Sequence, residues 1–149
     1  MTYCAGILVD QGIVMIADTR TNAGVDNISQ YRKLHTFEIP GDRALCICPA
    51  GNVSVSQGAL SLLREGRTNE VTGEVETLLT ATTMFRAAQL VGWAVRTAVE
   101  DVREALDEAG IDYGARFLFG GQGSAGHPLV DGLTATAAAA TRRWALACE

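Results

Sequence analysis

The hydrophobic period of the chain changes twice, and this limits the fold more than any other feature. The opening third carries short, apolar, β-branched runs. Tyr3 to Val9 and Ile13 to Asp18 flank the turn Asp10-Gln11-Gly12, which predicts a hairpin at the start of the chain. Tyr31 to Phe37 is extended in pattern. Arg43 to Cys48 is a buried-strand run between Pro40-Gly41-Asp42 and Pro49-Ala50-Gly51-Asn52. Together the four segments predict an antiparallel meander. The polar stretch from Thr19 to Gln30 reads as a loop.

After Asn52 the period lengthens. Val53, Leu60, Leu62 and Leu63 suit a helix from Asn52 to Glu65 that Gly66 ends, and Arg67 to Gly73 reads as a polar loop. A longer helical pattern starts at Glu74 or Thr80 and runs to Ala109. In it Leu90, Val91, Ala94, Ala98, Val102 and Leu106 form one face, and Arg96, Glu100, Arg103 and Glu104 lie opposite. Gly110 is a natural stop. Tyr113 to Gly120 then returns to a strand pattern. Four strands, two helices and one strand predict an α+β fold, with a sheet under a helical hairpin. A single five-stranded sheet would leave its other face bare unless a second sheet covers it. Residues 123–149 break the pattern with an alanine run at 137–140. They offer few residues to pack a second sheet, and a weak helix from Thr134 to Ala147 on propensity alone.

The length of 149 residues fits one domain, and 48% hydrophobic residues supply a core. Twelve basic residues against seventeen acidic give a net charge of −5, which argues against a nucleic-acid partner. No run is long enough to span a membrane, and no signal peptide opens the chain. Cys4, Cys46, Cys48 and Cys148 lack metal-site spacing and read as free thiols in a reducing cytoplasm. Gly120-Gly121-Gln122-Gly123 is no phosphate loop, since no Lys-Ser/Thr follows. No motif calls for a metal, nucleotide or haem, so no cofactor is expected.

Lys33 is the only lysine of the chain. Thr2 follows the initiator methionine, and loss of Met1 would join a hydroxyl nucleophile and an α-amine base on one residue. Asp18 ends the strand that pairs with the first one, and Lys33 lies on the next extended segment. A carboxylate beside an ammonium would favour the neutral form of a nearby amine and stabilise a developing alkoxide. Arg20 adds field or braces the loop. Gly51, at a strand-to-helix turn, offers an N–H to an oxyanion. An ordinary ion pair, a surface arginine and a turn glycine account for the same residues one at a time.

The run TYCAGILVDQGIVMIADTRTNAG, then Lys33, then CPAGN before a helix, resembles the proteasome β-subunit family of N-terminal nucleophile hydrolases. NAGVDNISQYRKLHTF and FLFGGQ resemble its bacterial branch called Anbu, the ancestral β-subunit. The resemblance covers about residues 2–122. It implies an αββα four-layer sandwich and a threonine-type peptidase or amidohydrolase acting on a peptide or protein. Thr2 is then the nucleophile, Asp18 and Lys33 are its catalytic pair, and Gly51 and Arg20 are oxyanion and support residues. It also implies a homo-oligomeric ring or helical stack. Family members continue past the Gly-Gly-Gln strand with more strands, two more helices and a supporting Ser/Asp/Ser group, for which Ser124 is no stand-in. The chain therefore reads as an incomplete domain over 1–122 with an unrelated, low-complexity tail over 123–149, a truncated or frame-shifted member. A non-catalytic structural subunit or inactive pseudoenzyme is the alternative reading.

Overall fold

The computed structural model describes residues 2–22, 28–123, 129–134, 140–141 and 144–148. Strands β1 (Tyr3–Val9), β2 (Gly12–Ala17), β3 (Arg20–Asn22), β4 (Ile28–Gln30), β5 (His35–Ile39) and β6 (Arg43–Gly51) come first. Helix α1 (Val53–Glu65), strands β7 (Arg67–Thr68) and β8 (Val75–Glu76) and helix α2 (Met84–Glu108) follow. The chain then forms β9 (Ala115–Gln122), β10 (Leu129–Thr134), β11 (Ala140–Thr141) and β12 (Trp144–Cys148).

Two antiparallel sheets carry the fold. One has the order β12-β1-β2 and the other β11-β10-β9-β6-β5. The predicted single meander is therefore divided. β1 and β2 pair with each other, while β5 and β6 join β9 in the second sheet. The segment between them carries the chain from one sheet to the other. Within it β3 and β4 form a short hairpin where a loop was expected. Residues 23–27 of that segment lie outside the described residues.

Local chemistry sets the helix ends. The Asn52 side chain accepts from the Val55 N–H at 3.2 Å, and the Gly66 N–H reaches the Leu62 carbonyl at 2.8 Å. Thr83 caps α2 through the Arg86 N–H at 3.1 Å. The second helix starts later than the sequence suggests. Hydrogen bonds within Thr77 to Ala81 hold a turn there, and Arg43 donates to the carbonyls of Leu78 and Ala81. A two-residue hairpin, β7–β8, replaces part of the expected loop.

The first core lies between the helices and the five-stranded sheet. It joins Leu45, Ile47, Phe117 and Phe119 to Leu60, Leu63, Leu90, Val91 and Val95. Leu118, of opposite parity to Phe117 and Phe119, points into a second core with Cys4 and Cys48. Leu8, Ile13, Met15, Ala17 and Leu34 pack around that trio. The layers thus run helices, large sheet, small sheet. The outer face of the small sheet carries Tyr3, Ile7, Val14 and Ile16, each about half exposed.

The described residues between 129 and 148 also differ from expectation. Described parts of Thr134 to Ala147 are strands, not helix. β10 pairs with β9, and β12 pairs with β1 from Tyr3↔Cys148 to Ile7↔Trp144. Alanine's helix propensity is weak against two open strand edges, whose unpaired N–H and C=O groups recruit an extended segment. Residues 124–128, with Ser124 and His127, lie outside the described residues. Among the described residues no helix is long and apolar enough to cross a membrane.

Candidate active site

The start of β1 and the end of β2 are clasped by their own backbone. The Asp18 N–H donates to the Tyr3 carbonyl at 2.9 Å, continuing the β1–β2 ladder past Cys4↔Ala17. In return the Tyr3 N–H donates to Asp18 Oδ1 at 2.9 Å. Thr2, half-buried, is the residue immediately before this clasp.

Asp18 gathers further donors. Lys33 Nζ lies 2.9 Å from both carboxylate oxygens, and the Arg20 N–H donates to Oδ2 at 3.1 Å. Burial alone would push the Asp18 carboxyl up. The Lys33 ammonium and the N–H groups of Tyr3 and Arg20 outweigh that effect and hold it below the ordinary 3.8. The Lys33 side chain is 6% exposed against 29% for Asp18. Its ammonium also donates to the Arg20 carbonyl. Lys33 precedes β5 instead of lying in it, so its direction is set by these oxygens and not by strand alternation.

Arg20 enters this cluster through its main chain. Its N–H meets Asp18 and its carbonyl meets Lys33, while the residue itself is exposed. Of the two roles considered for Arg20, bracing the loop is the one with contacts.

Gly51 stands where β6 turns into α1, with φ +98°. A Cβ there would come within 2.3 Å of the Gly114 carbonyl oxygen. Only glycine fits this backbone and this gap. Asn52 completes the junction by donating from Nδ2 to the Asp112 carbonyl at 3.0 Å, and its own N–H reaches the Gly114 carbonyl at 2.9 Å.

The structure therefore brings Asp18, Lys33 and the Arg20 backbone into direct contact and puts Thr2 beside them in the chain. Two participants were not singled out from the sequence. One is the Tyr3 main chain, whose role follows from the hairpin register. The other is Cys4, whose thiol feels the charges of both Asp18 and Lys33. Among the described residues no group of three or more His, Cys, Asp or Glu side chains could hold a metal ion.

No protein-family model and no curated protein sequence matches the chain. Solved structures do. An Anbu (Gly-1) mutant from Hyphomicrobium sp. strain MC1 is 34% identical, with a TM-score of 0.81 over 100% of this chain and 60% of that one. Anbu (ancestral beta-subunit) from Yersinia bercovieri is 30% identical, with a TM-score of 0.81 over 99% of this chain and 60% of its own. The helical assembly of the Anbu complex from Pseudomonas aeruginosa is 30% identical, with a TM-score of 0.83 over 99% of this chain and 61% of its own. The sequence resemblance was traced to Gln122, and the structural alignments take in 99–100% of this chain. The chain spans about 60% of the length of these relatives.

Proposed function

Given that the chain belongs to the Anbu branch of the N-terminal nucleophile hydrolases, the ancestral proteasome β-subunits, we propose that it is a non-catalytic structural member. It keeps the charged frame of a threonine hydrolase, while the described residues leave much of the outer face of the strand behind Thr2 open. The observation that carries this reading is the one-sided burial of the small sheet. Cys4 and its neighbours are packed inward, while Tyr3, Ile7, Val14 and Ile16 remain 48–53% exposed on the outer face. Thr2 leads into the strand of that sheet. A misplacement of about 1 Å at a reacting centre costs roughly 100-fold in rate. Ala5 is the one outward residue of β1 that is covered, and a strand held so unevenly does not hold that tolerance.

The printed description of the Pseudomonas structure as a helical assembly supports a homo-oligomeric stack, or a related ring, as the setting of this subunit. The free thiols of Cys4, Cys46 and Cys48 support a cytoplasmic one.

A second reading is a threonine-type amidohydrolase acting on peptides, and the contact between Asp18 and Lys33 favours it. In this reading loss of Met1 frees the Thr2 amine. The hydroxyl attacks a carbonyl and the amine takes its proton. Lys33, fixed by Asp18 and the Arg20 backbone, supplies the positive field, and the Gly51 N–H faces the oxyanion. Hydrolysis of fluorogenic peptides by the purified chain separates the two. The structural reading expects equal rates for the chain and its Thr2→Ala variant. A rate that disappears with Thr2→Ala contradicts it.

A further inference from the structure

We propose that β2 is an interface strand, through which two copies of the chain pair edge to edge about a two-fold axis at Met15. The inference rests on the homo-oligomeric part of the proposed function and not on the state of Thr2. β2 is an end strand of the small sheet and pairs only with β1 among the described residues. The Asp18 N–H that bonds the Tyr3 carbonyl fixes the alternation along it. In the register Ala5↔Ile16, Ile7↔Val14 and Val9↔Gly12, these residues of β2 point their main chain at β1. Ile13, Met15 and Ala17 therefore turn their N–H and C=O groups outward, with no backbone partner among the described residues. Gly12–Ala17 (GIVMIA) has neither a charge nor a proline to blunt this edge. β5, an end strand of the large sheet, carries Glu38 and stops before Pro40.

A strand added here must satisfy those outward groups, continue both faces of the sheet and suit the charges at its ends. A second copy of β2, antiparallel with Met15 opposite Met15, meets each demand. Ile13 faces Ala17 of the second copy and Ala17 faces Ile13, so the outward groups exchange about six hydrogen bonds. Val14 meets Ile16 of the second copy on the outer face, where both are about half exposed. Ile13, Met15 and Ala17 stay on the inner face, where they already pack around Cys4 and Cys48. A shift by one residue would set outward groups against groups already spent on β1. A shift by two sets Ala17 against the turn, or Ile13 against Thr19, whose carbonyl already accepts from the Tyr31 N–H at 2.8 Å. The ends are complementary in charge. This register carries the Asp10 turn of each copy to the exit from β2 of the other, and counting along both strands sets Asp10 against Arg20. Both residues are exposed, and neither has an ion-pair partner among the described residues. Arg20 enters the Asp18–Lys33 cluster through its main chain, which leaves the guanidinium to the second copy. The contact is isologous, so each pairing closes at two copies.

Sedimentation velocity of the full chain over a concentration series tests the pairing, with far-UV circular dichroism as the check on folding. The smallest associated species should be a dimer. Met15→Pro removes an outward N–H and no bond of the β1–β2 ladder. It should keep the spectrum and raise the dissociation constant by roughly tenfold or more. Asp10→Arg leaves β2 intact and should weaken the pairing by about tenfold, because the two-fold axis repeats the lost contact. Adding Arg20→Asp to Asp10→Arg should restore it. Register is read by oxidising a mixture of Val14→Cys and Ile16→Cys chains in a Cys46→Ser/Cys148→Ser background. The mixed chains should join, and each variant alone should stay single. Three results would overturn the proposal. A chain that is monomeric at every concentration would remove the homo-oligomeric reading as well. Association that either variant, Met15→Pro or Asp10→Arg, keeps at parental strength while folded would spare that reading and reject β2 as the interface. Equal joining by Val14→Cys alone would reject the two-fold axis at Met15.

Discussion

Lys33 Nζ stands 2.9 Å from each carboxylate oxygen of Asp18, fifteen residues away in sequence. The ammonium is the buried partner of the two, and the carboxylate keeps some contact with water. The pair joins the end of β2 to the segment entering β5, and so links the two sheets. A buried ion pair adds little net stability, but removing one partner strands the other.

The two halves of the pair therefore differ in cost. Asp18→Ala leaves a buried ammonium facing only part of its former oxygen shell, and should cost about 2–4 kcal/mol. Lys33→Met leaves a half-solvated carboxylate that still accepts from the Tyr3 and Arg20 N–H groups, and should cost about 1 kcal/mol. Urea denaturation of both variants measures the order. Equal losses would count against the burial argument.

Acid should weaken the fold in two stages. His35 Nδ1 faces the Arg64 guanidinium at 3.5 Å, and its Nε2 is buried with no partner among the described residues. Burial, then Arg64 and Arg32, lower its affinity for a proton below the ordinary 6.5. The unfolded chain thus binds this proton first. The stability tied to neutral His35 is present above about 6.5 and is lost as pH falls toward the lower folded value. Asp18, also lowered, supplies a second stage. Its contribution is present above the ordinary 3.8 and disappears as pH falls through the folded value beneath it. Urea midpoints against pH should show both slopes, and His35→Leu should abolish only the first.

Gly51→Ala should be severe. Its φ of +98° is strained for any other residue, and the added carbon meets the Gly114 carbonyl at 2.3 Å. A cost of about 3 kcal/mol or more is expected. Gly73→Ala is the control. It shares a positive φ of +70° but has nothing within 4 Å of the added carbon, so about 1 kcal/mol is expected. Thermal melts of the two variants separate backbone strain from the clash.

The outer sheet face should govern self-association. Ile7 and Val14 are cross-strand partners, and Ile16 lies on the same face. Ile7→Thr with Val14→Thr keeps β-branched residues in place and removes exposed apolar surface. Lower dye binding and slower aggregation are expected, with the denaturation midpoint little changed. Sedimentation of the double variant against the parent measures this. A parent that aggregates no faster than the variant contradicts it.

The sequence and the structure agree most closely where period and caps act together. Asn52 and Gly66 bracket α1, and the β1–β2 turn sets the register that places Asp18 beside Tyr3. Strand membership was harder to read, because alternation in β5 and β6 does not say which sheet they join. Strands β10 and β12 were missed for a related reason. Their pairing is decided by the open edges of β9 and β1, which local propensity does not encode. In the site, Asp18 and Lys33 were legible as a pair by residue type and position. The main-chain role of Arg20 and the place of Cys4 and Cys48 in one core depend on how the sheets stack, and no spacing rule reveals that.

In the proposed reading the charged frame of Asp18 and Lys33 persists without a competent nucleophile. The most direct measurement is the intact mass of the purified chain, with Met1 removed, after incubation with a β-lactone. The expected result is an unchanged mass, with Thr2 unmodified in the peptide map. A stoichiometric adduct on Thr2 would contradict it.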